Sequence, residues 1–483
     1  MSRIAYNLGD MTTARSIASN FSIQLAGKVL SVLVGLVSVA VITRALGTHA
    51  FGEYTTAITY LQMFGVLVDF GLTLTLIVMI SEKDVDEERI VGNFFGLRLL
   101  SGFFLFSLAP LTVLALPWSG TIDRAVLVGA LAYFLMGGAT MLVGVFQRHE
   151  SLWRVAIAEL VNRAVLLALV VLIAVFAPGV VFMVAASAVA NLLWLILMVR
   201  LAKPFVRIHP RFEWSVWRRI IVRSWPIAVS IIFNLIYLKG DILFLAYFRD
   251  QSQVGLYGMA YRIVEVMTVL PTMFMGLVLP SLVEAWSAGR VEEFRARVAR
   301  TFDLFMMAVI PVVVGAQLVA TDLTVLIAGS AFAPAGVVLQ LLVFALVGVF
   351  LGALYGHLVV AINHQRVMIW GYMTVAVASI AGYFWLIPPY GMWGAVWVTL
   401  ASEGAIALLT FALVARVSGA VPRLTVTFKS LVAAGVMYLA LTGLDVPVLV
   451  DLLVGGIVYG AVLITLKAVS VKQIMSLVGR PRL

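Results

Sequence analysis

Long, almost uninterrupted apolar runs separated by short polar breaks occupy the chain from about residue 20 to residue 466. A membrane-spanning helix needs about 20 largely apolar residues. The pattern predicts helices of about that length near 20–43, 54–80, 93–116, 125–146, 155–176, 180–199, 225–248, 257–282, 301–320, 337–362, 368–387, 392–415, 428–444 and 448–466. The last two windows are the shortest, and only LDVP separates them. The runs are too continuous for the alternating ten-residue strands of a membrane barrel. The fold class predicted is therefore an all-α integral membrane protein with about 14 transmembrane helices.

Composition agrees. Of 483 residues, 63% are hydrophobic and 12% charged, against roughly 45–50% and about 25% in soluble domains. So little charge cannot cover a water-facing surface. The chain contains no Cys, which excludes disulfides and thiolate metal sites. The polar start, MSRIAYNLGDMTTARSIASN, has no small-residue cleavage site before the first apolar run and reads as a cytoplasmic tail.

The net charge of +10 changes the picture only once it is placed. With the N-terminus inside, 25 of the 33 Lys and Arg fall in cytoplasmic segments. Only Arg44, Arg124 and Arg249 lie on the other side, and Lys28, Arg98, Arg163, Lys239 and Arg262 lie inside spans. That asymmetry predicts both termini in the cytoplasm. It accounts for the basic excess without a nucleic-acid partner. The longest basic segment, 200–224, holds seven basic residues with Phe205, Phe212, Trp214 and Trp217. It is expected to form a surface helix on anionic headgroups and to link two halves.

The two halves carry a shared mark. Phe51-Gly52-Glu53-Tyr54 opens the second span, and Val254-Gly255-Leu256-Tyr257 opens the eighth. Glycine would permit a tight outer turn. Tyrosine would sit at the membrane interface, with its hydroxyl in water. A six-span repeat preserves orientation, and transporters built this way hold substrate between halves near mid-membrane. The domains expected are an N-terminal lobe, 1–199, the basic linker, 200–224, a C-terminal lobe, 225–415, and two appended helices with a tail, 416–483.

Three stretches then resemble a family. RALGTHAFGEYTTAITYLQMFGVLVDFGL (44–72), VGLYGMAYRIVEVMTVLPTMFMGLVLPSL (254–282) and LIPPYGMWGAVWVTLASE (386–403) are similar to segments of bacterial and archaeal polysaccharide transporters. These are the lipid-linked oligosaccharide flippases of the multidrug/oligosaccharidyl-lipid/polysaccharide exporter superfamily. The resemblance implies a fourteen-helix flippase in a bacterial or archaeal cytoplasmic membrane. It would move a polyprenyl-pyrophosphate-linked oligosaccharide to the outer leaflet by alternating access, as a monomer or beside polysaccharide polymerase machinery.

Ionisable groups within spans default to functional candidates. Arg98 lies a turn or so inside span three and is expected to snorkel to the interface. Glu159 and Arg163 are spaced to pair on span five, as are Arg262 and Glu265 on span eight. Asp303 is near the inner end of span nine. Lys28, Asp69, Lys239, Asp241 and Glu403 lie deeper and should face a polar cavity or one another. Lys239 and Asp241, two apart, point to different faces. The substrate-binding candidates are Lys28, Lys239, Arg98, Arg163, Arg262 and Asn234, with Lys28 and Lys239 foremost for phosphate charge. Asp69, Asp241 and Glu403 are candidates for coupling or for polar contacts between lobes. Asn20, Gln24, Asn162 and Asn191 add hydrogen-bonding capacity for sugars or neighbouring helices. Pro110, Pro271 and Pro311 are expected to kink their helices.

With five His, no P-loop and no nucleotide fingerprint, the chain is expected to hold no metal and no cofactor and to be no enzyme. Transport would draw on H+ or Na+ gradients or on membrane potential. A cation-coupled multidrug exporter of the same superfamily is the main alternative, although span one holds Lys28 and no acid. A peptidoglycan-precursor flippase differs mainly in cargo. A glycosyltransferase or polymerase would need a larger outer domain than 321–336, the longest outer connection expected. A non-transporting scaffold in a polysaccharide assembly complex is a further possibility.

Overall fold

In the computed structural model, backbone is described for residues 2–82, 85–444 and 446–468, and side chains for these residues other than 2–26, 28, 29, 226, 227, 229, 230 and 234. The helices in chain order are α1 (Ser2–Asp69), α2 (Leu72–Ile80), α3 (Glu87–Val113), α4 (Gly120–Met141), α5 (Val143–Arg148), α6 (Leu152–Phe176), α7 (Val180–Ala202) and α8 (Trp214–Phe248). They continue with α9 (Gln251–Ser287), α10 (Val291–Ala328), α11 (Ala333–Leu342), α12 (Ala345–Ala361), α13 (Gln365–Tyr390), α14 (Met392–Ser418), α15 (Thr425–Leu441) and α16 (Val448–Thr465). No strand occurs among the described residues.

Each apolar window falls on helix, but the breaks are not all where the pattern predicted. Among the described residues, eleven helices can cross a membrane by length and composition, or twelve if α11 and α12, bent by 47°, form one span. Two features separate this count from fourteen. The first two windows share α1, whose one non-helical residue is Gly47 at φ 72°, and α15 is only 17 residues long. Glycine tolerates that left-handed φ at little cost, so the tight turn between the first two windows is a single residue at Gly47. Gly52 lies within helix. The long outer connection expected at 321–336 is also helical, because α10 runs to Ala328 and a short 3-10 turn, Ser330–Phe332, leads into α11.

Outward faces of these helices are apolar to a degree water would not support. Phe176 is 78% exposed, Leu439 73% and Ile457 71%. Lipid is the solvent in which such faces cost nothing, so the chain is a multi-pass membrane protein.

The chain divides into two compact units. The first comprises 1–235 with 250–255, and the second comprises 236–249 with 256–483. The first unit's core gathers Leu76 and Met79 of α2, Phe94 of α3, Phe146 of α5 and Met198 of α7.

The basic linker is only partly a surface helix, because part of it belongs to this core. Residues 203–213 are not helical, and Arg211 N donates to Gly92 O at 2.9 Å. Glu213 accepts from Arg89 Nε at 2.9 Å and from Asn93 Nδ2 at 3.1 Å. The bonds from Arg89, then the one from Asn93, hold the Glu213 carboxyl below its usual range. Trp217, assigned above to headgroups, is buried, and its indole donates to Asn93 O. Phe205 stacks on His149, with ring centroids 4.6 Å apart.

Candidate functional site

In the second unit, charge concentrates where α8 meets α9. The two-residue step from Lys239 to Asp241 turns the side chains about 200° apart around the helix. Lys239 forms an ion pair with Glu265 and lies 4.4 Å from the centroid of the Tyr261 ring. Arg262 Nη1 holds the other oxygen of Glu265 at 2.9 Å. Tyr261, Arg262 and Glu265 share a face of α9 because three or four residues make one turn. The Lys239, Arg262 and Glu265 side chains are 15%, 35% and 28% exposed, so the group is partly open.

Asp241 is closed off and fully buried. Its carboxylate accepts from the Tyr257 hydroxyl, from Thr399 Oγ1 at 3.2 Å and from Ile242 N at 2.7 Å. Tyr257 and Thr399 hydroxyls are 3.0 Å apart. Burying an unbonded carboxylate would cost several kcal/mol, and these donors offset that cost. Tyr257 is completely buried, contrary to the interface role its Gly-x-Tyr setting suggested. The hydroxyl that was to reach water instead caps a carboxylate. Glu403 of α14 is 6% exposed and packs tightly against α12. A Cβ on Gly348 would come within 2.8 Å of the Glu403 backbone.

The first unit holds another ion pair, a buried arginine against a partly exposed aspartate. Arg98 Nη1 reaches Asp69 Oδ1 at 3.0 Å, Arg98 Nε donates to Gly137 O at 3.3 Å, and Thr73 Oγ1 donates to Asp69 at 2.8 Å. The Arg98 side chain is 7% exposed and does not snorkel. Helix α3 begins at Glu87, so Arg98 lies about 17 Å along it, beyond reach of the interface. Replacing Arg98 by Leu should strand Asp69 and lower stability by about 3 kcal/mol. Adding Asp69→Asn should recover most of that loss in detergent thermal unfolding. An equal loss in the double variant would show that packing, not charge, holds the site.

The remaining candidates are dispersed. Arg163 is exposed on α6, while Glu159 and Asp303 are partly buried. Asn162 donates to Asn191 at 3.1 Å, and Asn191 donates to Ala132 O at 2.9 Å, so these amides join α6, α7 and α4. The side chains of Lys28, Asn234, Asn20 and Gln24 lie outside those described. Asp451 in the first turn of α16, absent from the sequence candidates, has one buried oxygen without a hydrogen bond. Sequence reasoning also missed Tyr257, Tyr261 and Thr399 as partners of the buried charges. The four-residue step from Tyr257 to Tyr261, facing a span with Lys and Asp, was the available signal.

Residues 17–286, more than half of the chain, match the profile of a family described as Polysaccharide biosynthesis protein. The chain belongs to that family. This member of the polysaccharide biosynthesis proteins is also similar to Probable flippase AglR of Haloferax volcanii, with 27% identity over 241 residues. The match covers 47% of this chain and 50% of that protein, so the chain spans about half the length of the curated relative it matches. Among solved structures, Lipid II flippase MurJ in an inward closed conformation aligns with TM-score 0.76 at 12% identity, over 92% of this chain and 98% of that one. An inward-facing multidrug resistance MATE family transporter of the MOP superfamily aligns with TM-score 0.67 at 13% identity, over 83% and 98%. At such identities the likeness establishes the fold: this family member has the helical fold of MOP-superfamily transporters.

Proposed function

We propose that the chain is a flippase that carries a polyprenyl-pyrophosphate-linked oligosaccharide from the cytoplasmic to the outer leaflet of a bacterial or archaeal cytoplasmic membrane. The observation that carries this reading is the partly open Lys239–Glu265–Arg262 group within the spans, where two cationic side chains meet on the two oxygens of Glu265. Such a group suits an anionic pyrophosphate, and the family membership supplies a sugar-bearing context. The relative named as a probable flippase supports the same transport class.

The lobes, 1–199 and 225–415, are proposed to alternate in access, with 200–224 as their linker and 416–483 appended. Lys28 is proposed as the N-terminal counterpart of Lys239. Asn234, Arg98 and Arg163 are kept as secondary substrate contacts. The pairing of Arg98 with Asp69 gives that residue a positioning role first. No cofactor is required. An inside-negative potential favours outward movement of negative charge by about 2.3 kcal/mol per charge per 100 mV. The chain is proposed to work as a monomer, delivering cargo to polysaccharide polymerase machinery.

The buried carboxyls Asp241 and Glu403 favour a second reading, a cation-coupled multidrug exporter. A peptidoglycan-precursor flippase shares the fold and differs in cargo. Purified protein in liposomes containing labelled polyprenyl-pyrophosphate oligosaccharide distinguishes them. An impermeant glycosidase outside should cleave inner-leaflet sugar as it emerges, faster under an imposed voltage. Dye transport without sugar exposure would support the exporter, and exposure of lipid II alone would support the peptidoglycan precursor.

A further inference from the structure

The first turns of α8, Trp214–Trp225, present three unlike sides. Val216, Trp217, Ile220 and Ser224 fall on one stripe of the helix and are buried in the first unit. On the next side, Trp214 is 71% exposed, Ile221 36%, Val222 60% and Trp225 53%, with exposed Arg218 among them. The third side carries exposed Ser215, Arg219 and Arg223. Phe212, just before the helix, is 64% exposed.

The partners of this stretch fix its depth. Glu213 is held by Arg89, and Trp217 bonds to Asn93. Arg223 pairs with Glu82, and Ser224 Oγ is 2.9 Å from Thr75 Oγ1. Thr75 lies in the last two turns of α2, and Arg89 and Asn93 lie in the first two turns of α3. The stretch therefore runs across the ends of two spanning helices, at the level where hydrocarbon gives way to headgroups. Two tryptophans and a phenylalanine exposed at that level match the preference of such rings for the interface.

Charge selects among headgroups. Glu213 and Glu82 are engaged by Arg89 and Arg223. Among the described residues, no carboxylate lies within 4.0 Å of Arg218 or Arg219.

We propose that Phe212–Trp225 is a docking surface for anionic phospholipid headgroups, with the aromatic rings seated at headgroup depth and Arg218 and Arg219 drawing phosphate-bearing lipids of net negative charge. A zwitterionic lipid would satisfy the rings and leave the guanidinium charges without a counterion. The surface is independent of which cargo the protein carries.

Because the chain contains no Cys, Ser215→Cys supplies a single thiol for a fluorophore in the full-length protein. The labelled protein is placed in phosphatidylcholine vesicles containing a small, fixed fraction of nitroxide-labelled phosphatidylglycerol or, in parallel, nitroxide-labelled phosphatidylcholine. The phosphatidylglycerol probe should quench at least about two-fold more strongly, and high salt should reduce that excess. Arg218→Gln with Arg219→Gln should bring the probes to parity, while the paired Lys substitutions should keep the preference. A label at Leu449→Cys, on a lipid-facing part of α16, should respond equally to both probes and reports whether each variant is folded. If the Gln variant fails that control, the salt response of the parent decides. Equal quenching of the parent by both probes would overturn the anionic preference. No quenching by either probe would place the surface against water or an acidic protein and overturn the proposal.

Discussion

Lys239→Glu should abolish flipping while leaving the protein inserted and monodisperse. The substitution places a carboxylate against Glu265, removes the cation from the Tyr261 ring and leaves Arg262 facing two acids. Breaking a buried ion pair costs about 3–5 kcal/mol, and this pair, 15% and 28% exposed, belongs at the lower end. A transport barrier raised by only the lower figure would slow flipping by about 100-fold. The glycosidase-protection assay reads that loss directly. Adding Glu265→Lys separates two explanations. The exchanged pair restores the salt bridge but moves the ammonium from α8 to α9. Recovery of thermal stability without flipping would show that the cation must stand on α8 to meet cargo. Recovery of both would make Lys239 a structural residue, and undiminished flipping in Lys239→Glu alone would remove it from the mechanism.

The helices and the membrane class were legible because both follow from one-dimensional quantities. Apolar run length marks where the helices lie, and each predicted window falls largely on helix. What the pattern could not supply was the partner of each polar group. Arg98 looked shallow because the apolar window began at 93, whereas charged Glu87 and Glu88 already form the first turn of α3 behind the Asp86 cap. Helix starts are set by capping groups, and a hydropathy window excludes them. Tyr257 looked interfacial from its neighbours, yet its hydroxyl meets Asp241, sixteen residues earlier. The linker likewise reads as amphipathic from 200 to 224. Only the tertiary bonds of Arg211, Glu213 and Trp217 show which of its residues are fixed in the first unit. Motifs in the sequence marked the residues that matter but assigned their roles from local averages.

The repeated apolar-Gly-x-Tyr unit leads to the second large effect: Gly52→Val should prevent accumulation of folded protein. A Cβ at Gly52 would lie 1.8 Å from Gln251 O and 2.7 Å from its carbonyl carbon. Reciprocally, a Cβ at Gly255 would lie 2.0 Å from Thr48 O. The two copies of the motif therefore meet backbone to backbone in the first unit, and neither surface is a flexible side chain that can move aside. Thr56 Oγ1 bonds to Gln251 Oε1 at 2.8 Å beside the crossing, so separating the helices also breaks a buried hydrogen bond. Overpacking a close contact costs typically about 1–3 kcal/mol when side chains can adjust. A backbone-to-backbone clash should exceed that range. Even Gly52→Ala and Gly255→Ala should each lower the unfolding temperature markedly, and combining them should not compensate. Gly35→Ala provides the comparison, because it is also in α1 but has no atom within 4 Å of its would-be Cβ. There the gain in helix propensity, about 0.5–1 kcal/mol, stands alone, and the variant should be at least as stable as the parent. If thermal unfolding in detergent ranks Gly52→Ala with Gly35→Ala, the helices do not cross at this distance, and the motif keeps only its sequence meaning as a mark of repetition.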